Sequence, residues 1–261
     1  MKKITAMLLA LLMVLSLAAC GSASTESKTL VMATSADYPP YEFIVLNDKN
    51  EQQYVGIDIS VSEAIAADMG KELQVVNMDF DSLMAGLQKG DADMVLAAIE
   101  VTDERLEAAD FSAPYYTDLP PMILVKADKA GEYTSLESFS GKSVGAQTGT
   151  TKATLVTDEM PGANLVALTS VNDLVNQLVY DKVDAIVLDG AVAEQYAQTN
   201  SDLVVSEVSL GEAYPYCVAV QKGDPKGLLP SINETIAKLL ADGKIEQFIA
   251  DADALSDQAV E

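Results

Sequence analysis

The chain has 261 residues, with 40 acidic and 16 basic side chains, no histidine and a formal charge of −24. Apolar residues make up 49%, enough for a full hydrophobic core, so an intrinsically disordered chain is excluded, and the length fits one large domain or two small ones. The negative charge repels phosphate backbones, which excludes nucleic acid as a partner, and with no histidine and two cysteines zinc sites and the usual Ser-His or Cys-His nucleophiles are excluded too.

MKK followed by ITAMLLALLMVLSLAA is a basic start and an apolar run too short for a membrane span, which reads as a signal peptide over residues 1–19. It ends LAAC, Leu17 to Cys20, which resembles the lipobox of bacterial lipoproteins. That resemblance implies cleavage before Cys20, lipidation of its thiol and a membrane anchor on the extracytoplasmic face, the Gram-positive outer face being favoured. Residues 20–28 form a flexible tether. Cys217, the other cysteine, then has no partner and is expected as a buried small hydrophobe.

In chain order, TLVMATS reads as a strand, ADYPPYEF as a turn, Asp58 to Met69 as a helix closed by Gly70, and ELQVVNM as a strand. Asp81 is placed to cap the helix SLMAGLQK, which Gly90 ends, and ADMVLAAI reads as a buried strand. Beyond Gly141 follow SVGAQ (strand), TTKATLVTDE (helix), NLVAL (strand), VNDLVNQLVY (helix) and DAIVL (strand). This alternation predicts α/β architecture with mainly parallel sheets. Phe80–Ala98 and Val171–Asp189 align without gaps, pairing Leu83 with Leu174, Leu87 with Leu178 and Asp93 with Asp184; either a true repeat or shared architecture accounts for this. Two similar lobes follow: residues 29–121 plus 219–261, and residues 122–218. PPMILVKAD and YPYCVAVQKGD are expected to link them, with the helical tail packing on the first lobe. Ligands of open α/β sheets sit beyond the carboxyl ends of strands, which points to Ala98–Glu100 and Asp189.

Three features carry chemistry. The turn before TTKATL puts Thr150 and Thr151 at a helix start, where hydroxyls and N–H groups either bind a carboxylate or simply cap the helix. Arg105 is the only arginine in a chain that otherwise uses lysine; it either forks a ligand carboxylate or makes a surface pair with Glu100, Asp103 or Glu104. Asp189 ends an apolar strand and either pairs with a ligand ammonium or caps the next helix. Tyr38, Tyr41 and Phe80 are placed as ligand walls or as core.

The order DYPPYEF, VGIDISVSEAIAADMG, FDSLMAGLQKGDADMVLAAIEVTDERLEAADFSAPYY, GAQTGTTKATL, VDAIVLD and CVAVQKGD resembles the polar-amino-acid-binding solute-binding proteins of ABC transporters. The resemblance runs from about Leu30 to about Phe248. It implies two Rossmann-like lobes joined by two hinge strands, the type II periplasmic binding protein fold, closing on one free L-amino acid. It places Arg105, Thr150 and Thr151 on the α-carboxylate, Asp189 on the α-ammonium, Tyr38 and Phe80 around the side chain, and Ser35, Asp37 and Gln147 where side-chain preference is set. Ala98 falls at the strand end, and Glu100 stands where the family usually has a hydroxyl. Glu100 then either selects a cationic ligand or braces Arg105 without touching the ligand. Asp37, Asp79 and Asp81 near the cleft turn the expectation toward a polar or cationic ligand.

The expectation is therefore a monomeric extracytoplasmic lipoprotein that delivers an amino acid to an ABC permease, with no cofactor and no catalysis. Two alternatives remain at this point: a sensing or adhesive surface lipoprotein, and an enzyme similar to cyclohexadienyl dehydratases with Glu100 as general acid.

Overall fold

The computed structural model describes residues 27–259; the expected signal peptide, Cys20 and the expected tether up to residue 26 lie outside the described residues. The first part of the chain runs β1 (Thr29–Thr34), a hairpin of β2 (Phe43–Leu46) and β3 (Gln52–Val55), α1 (Ile57–Asp68), β4 (Glu72–Asn77), α2 (Leu83–Lys89), β5 (Met94–Val95), α3 (Asp103–Ala108) and β6 (Ala109–Phe111). Next come β7 (Tyr116–Thr117), β8 (Met122–Lys126), β9 (Ser143–Gln147), α4 (Thr151–Glu159), β10 (Asn164–Leu168), α5 (Val171–Val179), β11 (Ala185–Leu188), α6 (Gly190–Thr199) and β12 (Leu203–Val205). The chain closes with β13 (Pro215–Tyr216), β14 (Ala219–Gln221), α7 (Leu229–Ala241) and α8 (Lys244–Ser256).

The strands form two five-stranded sheets, ordered β4-β1-β5-β14-β6 and β10-β9-β11-β8-β12. Their order and direction match strand for strand: three parallel strands, then one antiparallel strand shared with an edge strand. The aligned repeat sits at the same place in both. Leu83, Leu87, Leu174 and Leu178 are all fully buried. Asp93 accepts the Val31 N–H in the first lobe at 2.8 Å, and Asp184 accepts the Ser143 N–H in the second at 2.9 Å. Each aspartate ties the turn before its strand to the neighbouring strand. In α5, Val171, Leu174, Val175 and Leu178 face the core at the spacing of one helical stripe, and Ser170 caps the helix by accepting from the Asp173 N–H. The C-terminal helices α7 and α8 pack on α1, as the tail was expected to do.

Three sequence expectations change. The run Pro120–Asp128 is not a free linker: its residues Met122–Lys126 become β8, because Ile123, Leu124 and Val125 are fully buried in the second sheet. The crossing is made by β7 and β13, which pair antiparallel between the lobes. Asp81 does not cap α2; residues Phe80–Ser82 form a tight 3-10 turn and the helix begins at Leu83 without a side-chain cap. ADMVLAAI is buried throughout nearly its whole length but only Met94–Val95 stay in the ladder. The backbone then leaves the sheet at Ala98, whose φ of 45° is a strained value for a residue with a side chain.

Candidate functional site

The ends of β5 and β11 face one another across the cleft between the lobes, and the charged residues gather there. Glu100, Arg105, Gln147, Lys152 and Asp189 are all buried. The pocket they line with Ser35, Tyr38, Glu42, Phe80, Ala97, Ala98 and Thr150 has a volume of about 10 Å³, room for one water at most. The cleft is filled by the protein's own side chains. A wider groove of about 880 Å³ between α3 and α4 opens onto the same Glu100, Arg105, Thr150 and Thr151.

Asp189 stands at the start of α6 but does not cap it with its side chain. Its carboxylate accepts from the Tyr38 hydroxyl at 2.8 Å and lies 2.6 Å from the Lys152 ammonium. The Asp189 N–H in turn donates to the Tyr38 oxygen at 3.0 Å, so Tyr38 locks the strand end of the second lobe from the first. Lys152 also lies 3.1 Å from Glu100. Burial opposes the Lys152 charge, but the adjacent Asp189 and Glu100 outweigh it and hold its pKa above the usual range.

Arg105 is positioned by the short helix α3, which Thr102 caps by accepting the Arg105 N–H. Its guanidinium donates to the Glu100 carbonyl at 2.8 Å and to the Gly149 carbonyl at 3.1 Å, and stacks 5.3 Å from the Phe80 ring centroid. Arg105 makes no ion pair with Glu100, Asp103 or Glu104; its donors serve two backbone carbonyls, one from each lobe. Burial lowers the Arg105 pKa, and the nearby Glu100, Asp189 and Glu104 offset this only in part. Gly149 allows this approach: at φ 79°, a Cβ there would lie 3.1 Å from the Asp81 Cβ of the other lobe.

Glu100 braces Arg105, as one of the two sequence expectations had it, but through its backbone. Its carbonyl, not its carboxylate, meets Arg105, and the carboxylate accepts from the Thr151 hydroxyl and pairs with Lys152. Thr151 therefore reaches across the cleft. Thr150 does what a simple cap does: it accepts from the Ala153 N–H and donates to the Gln147 carbonyl. Gln147 turns its amide to the Thr169 carbonyl within its own lobe. Ser35 donates to Asp37 at 3.4 Å, and Asp37 crosses the cleft to accept the Val171 N–H at the start of α5 at 2.7 Å. The Ala98 N–H donates to Asp58 at 2.8 Å.

Sequence reasoning passed over two features. Lys152 reads as filler in TTKATL, although a lysine in the first turn of a helix opposes the macrodipole and is a signal in itself. Behind Tyr38 lies a set of buried acids. Burial pushes Asp58 and Asp118 up to about 6 and Glu42 well above the usual carboxylate range. Tyr115 donates to Asp58 at 2.6 Å. Cys217 is a buried free thiol pushed up to about 11 by burial, an inert packing residue.

Two matching α/β lobes, two crossing strands and a charged cleft between them define a solute-binding protein of the type II periplasmic class. The family model for bacterial extracellular solute-binding proteins, family 3, matches residues 30–251, and the chain belongs to that family. It is 33% identical over 256 residues to the arginine-binding extracellular protein ArtP of Bacillus subtilis, covering 95% of this chain and 96% of that one. The ABC transporter glutamine-binding protein GlnH of the same organism is 29% identical over 266 residues, covering 95% and 96%. An amino acid ABC transporter substrate-binding protein from Streptococcus pneumoniae, solved bound to L-arginine, superimposes with a TM-score of 0.83 at 33% identity, covering 88% of this chain and 96% of that one.

Proposed function

We propose that this chain is a lipid-anchored receptor that captures a free amino acid by closing residues 29–121 plus 219–261 onto residues 122–218, and hands it to an ABC importer. The observation that carries this reading is the meeting of opposite charges from the two lobes in one buried cleft. Arg105 comes from the first lobe and Asp189 from the second. An amino acid has a carboxylate for a guanidinium and an ammonium for a carboxylate. Contacts to both lobes at once favour the closed form, and that difference in affinity is what drives closure. Tyr38 and Phe80 form the walls around the side chain, and Ser35, Asp37 and Gln147 border it. The leader and LAAC at Cys20 support the anchor, which needs only the chemistry of that cysteine.

L-Arginine is the first ligand to test, because relatives named for arginine span the chain and because Asp37, Glu42, Glu100 and Asp189 crowd the cleft with acids. A cationic side chain relieves that crowding, and an acidic one adds to it. A thermal-shift panel of arginine, lysine, histidine, glutamine and glutamate tests this. At a hundred times Kd a ligand adds about 2.7 kcal/mol, or roughly 5–10 °C for a chain of this size. No shift with any free amino acid at millimolar concentration would sink the receptor reading.

A further inference from the structure

We propose that Lys152 is a tethered stand-in for the ligand's ammonium, moored between Asp189 and Glu100, and that binding exchanges one ammonium for the other on Asp189. This rests on the amino-acid-receptor reading above.

Lys152 is the only buried lysine among the described residues, and it is the second residue of α4. Both placements are unfavourable: burial strips the ammonium of water, and the helix N-terminus repels it. Nothing within α4 compensates. Compensation comes from Asp189 at 2.6 Å, in its own lobe, and from Glu100 at 3.1 Å, in the other. The group that Lys152 brings to Asp189 is the same primary ammonium that an amino acid would bring.

Among the described residues Lys152 is the one cation that forms an ion pair with the Glu100 carboxylate. Its carboxylate oxygens go to the Thr151 hydroxyl and to Lys152, both on the second lobe, while Arg105 meets only its carbonyl. Glu100 and Lys152 are therefore an interlobe clamp. The cluster of Glu100, Asp189, Arg105 and Lys152 balances two negative groups with two positive ones, and a zwitterion enters it without changing that balance. When a ligand ammonium takes Asp189, Lys152 keeps Glu100, so no buried charge is stranded. This gives Glu100 a purpose that a hydroxyl at the same position would not serve.

Small-angle scattering of the protein without added amino acid tests the clamp independently of ligand identity. Wild type is expected to be compact. Lys152→Met, and the double variant Glu100→Thr/Lys152→Met, which leaves no unpaired carboxylate at position 100 and leaves Asp189 with the Tyr38 hydroxyl, are expected to have larger radii of gyration. L-Arginine as probe should bind the double variant on the order of tenfold more tightly than wild type, because the closing contact that competes with it is gone. The proposal is overturned if both variants scatter like wild type, or if the double variant binds L-arginine no more tightly than wild type does. If wild type binds no amino acid at all, the receptor reading fails, and the scattering comparison still decides the clamp.

Discussion

Arg105→Lys separates charge from geometry at the point where the two lobes meet. Both side chains are cations, but only the guanidinium has donors far enough apart to reach two fixed carbonyls. The bond to the Glu100 carbonyl stays within the first lobe, whereas the bond to the Gly149 carbonyl spans the cleft and exists only when the lobes are together. A lysine keeps one of them. A hydrogen bond to a charged group is worth about 1.5–3 kcal/mol, and the lost stacking on Phe80 adds roughly 0.5–1 kcal/mol. Together these come to about 2–4 kcal/mol, and since about 1.4 kcal/mol is tenfold, the affinity for the amino acid should fall by about 30- to 700-fold. Titration calorimetry with L-arginine, or with whichever amino acid gives the largest thermal shift, measures this directly. Circular dichroism should be unchanged, because α3 is capped by Thr102 and not by the guanidinium. Affinity within threefold of wild type would refute the reasoning, and with it the claim that the one arginine is kept for its fork.

Tyr38→Phe removes a hydroxyl that both donates to the Asp189 carboxylate and accepts its N–H; two buried groups lose a partner, at about 1–3 kcal/mol, and a five- to hundredfold loss of affinity should appear in the same titration. Leu83→Ala and Leu174→Ala cut the same buried position in each lobe, and each should cost about 2–5 kcal/mol in chemical denaturation; a cost below 1 kcal/mol at either would show that the aligned leucines are not equivalent. The pH dependence follows from Asp37, Asp58 and Asp118, each pushed up to about 6 chiefly by burial. An unfolded aspartate titrates near 3.8, so the folded state holds extra protons between there and about 6; the stability they confer is full below that window and is lost as pH rises through it. One pKa unit is about 1.4 kcal/mol, so the melting temperature should be at least ~3 °C higher at pH 5 than at pH 7.5. A higher melting temperature at pH 7.5 would contradict the burial of these acids.

The second lobe was the more legible one. SVGAQ and NLVAL match β9 and β10 residue for residue, because each is a short apolar run closed by turn residues, and turn chemistry is local. ADMVLAAI has the same composition, yet its ladder stops at Val95, since the Ala98 N–H is claimed by Asp58, forty residues earlier. No local pattern records a partner at that distance. The hairpin of β2 and β3 was likewise hidden behind the two prolines of ADYPPYEF. At the site, Arg105 and Asp189 stood out because each breaks a pattern in the chain itself, one arginine among lysines and an aspartate after an apolar strand, and Glu100 because it stands where the family resemblance implies a hydroxyl. What they touch could not be read. Each has a partner from the other lobe, and the sequence ordering of the lobes carries no information on how far the cleft closes.

The matching lobes explain why such a cleft forms at all. Each carries the same turn, with Asp93 or Asp184 tying it to the neighbouring strand, so each delivers the residues after β5 or β11 to the corresponding edge of its sheet. Joined by two strands, the lobes turn those edges toward one another, and identical scaffolds would bring identical groups face to face. Like charges there would hold the lobes apart by several kcal/mol at short range. The sequences diverge where the scaffold leaves them free to do so: the first strand end leads into Glu100 and Arg105, the second into Asp189, with Lys152 entering from the neighbouring helix. Each lobe thus offers both signs, and closure brings Glu100 to Lys152, which Asp189 already holds within its own lobe. In the proposed cycle the cleft is never without a cation on Asp189, first the lysine and then the ligand. The cost of burying that carboxylate is therefore met at every stage, which is what lets a buried aspartate serve as an exchangeable site instead of a fixed ion pair.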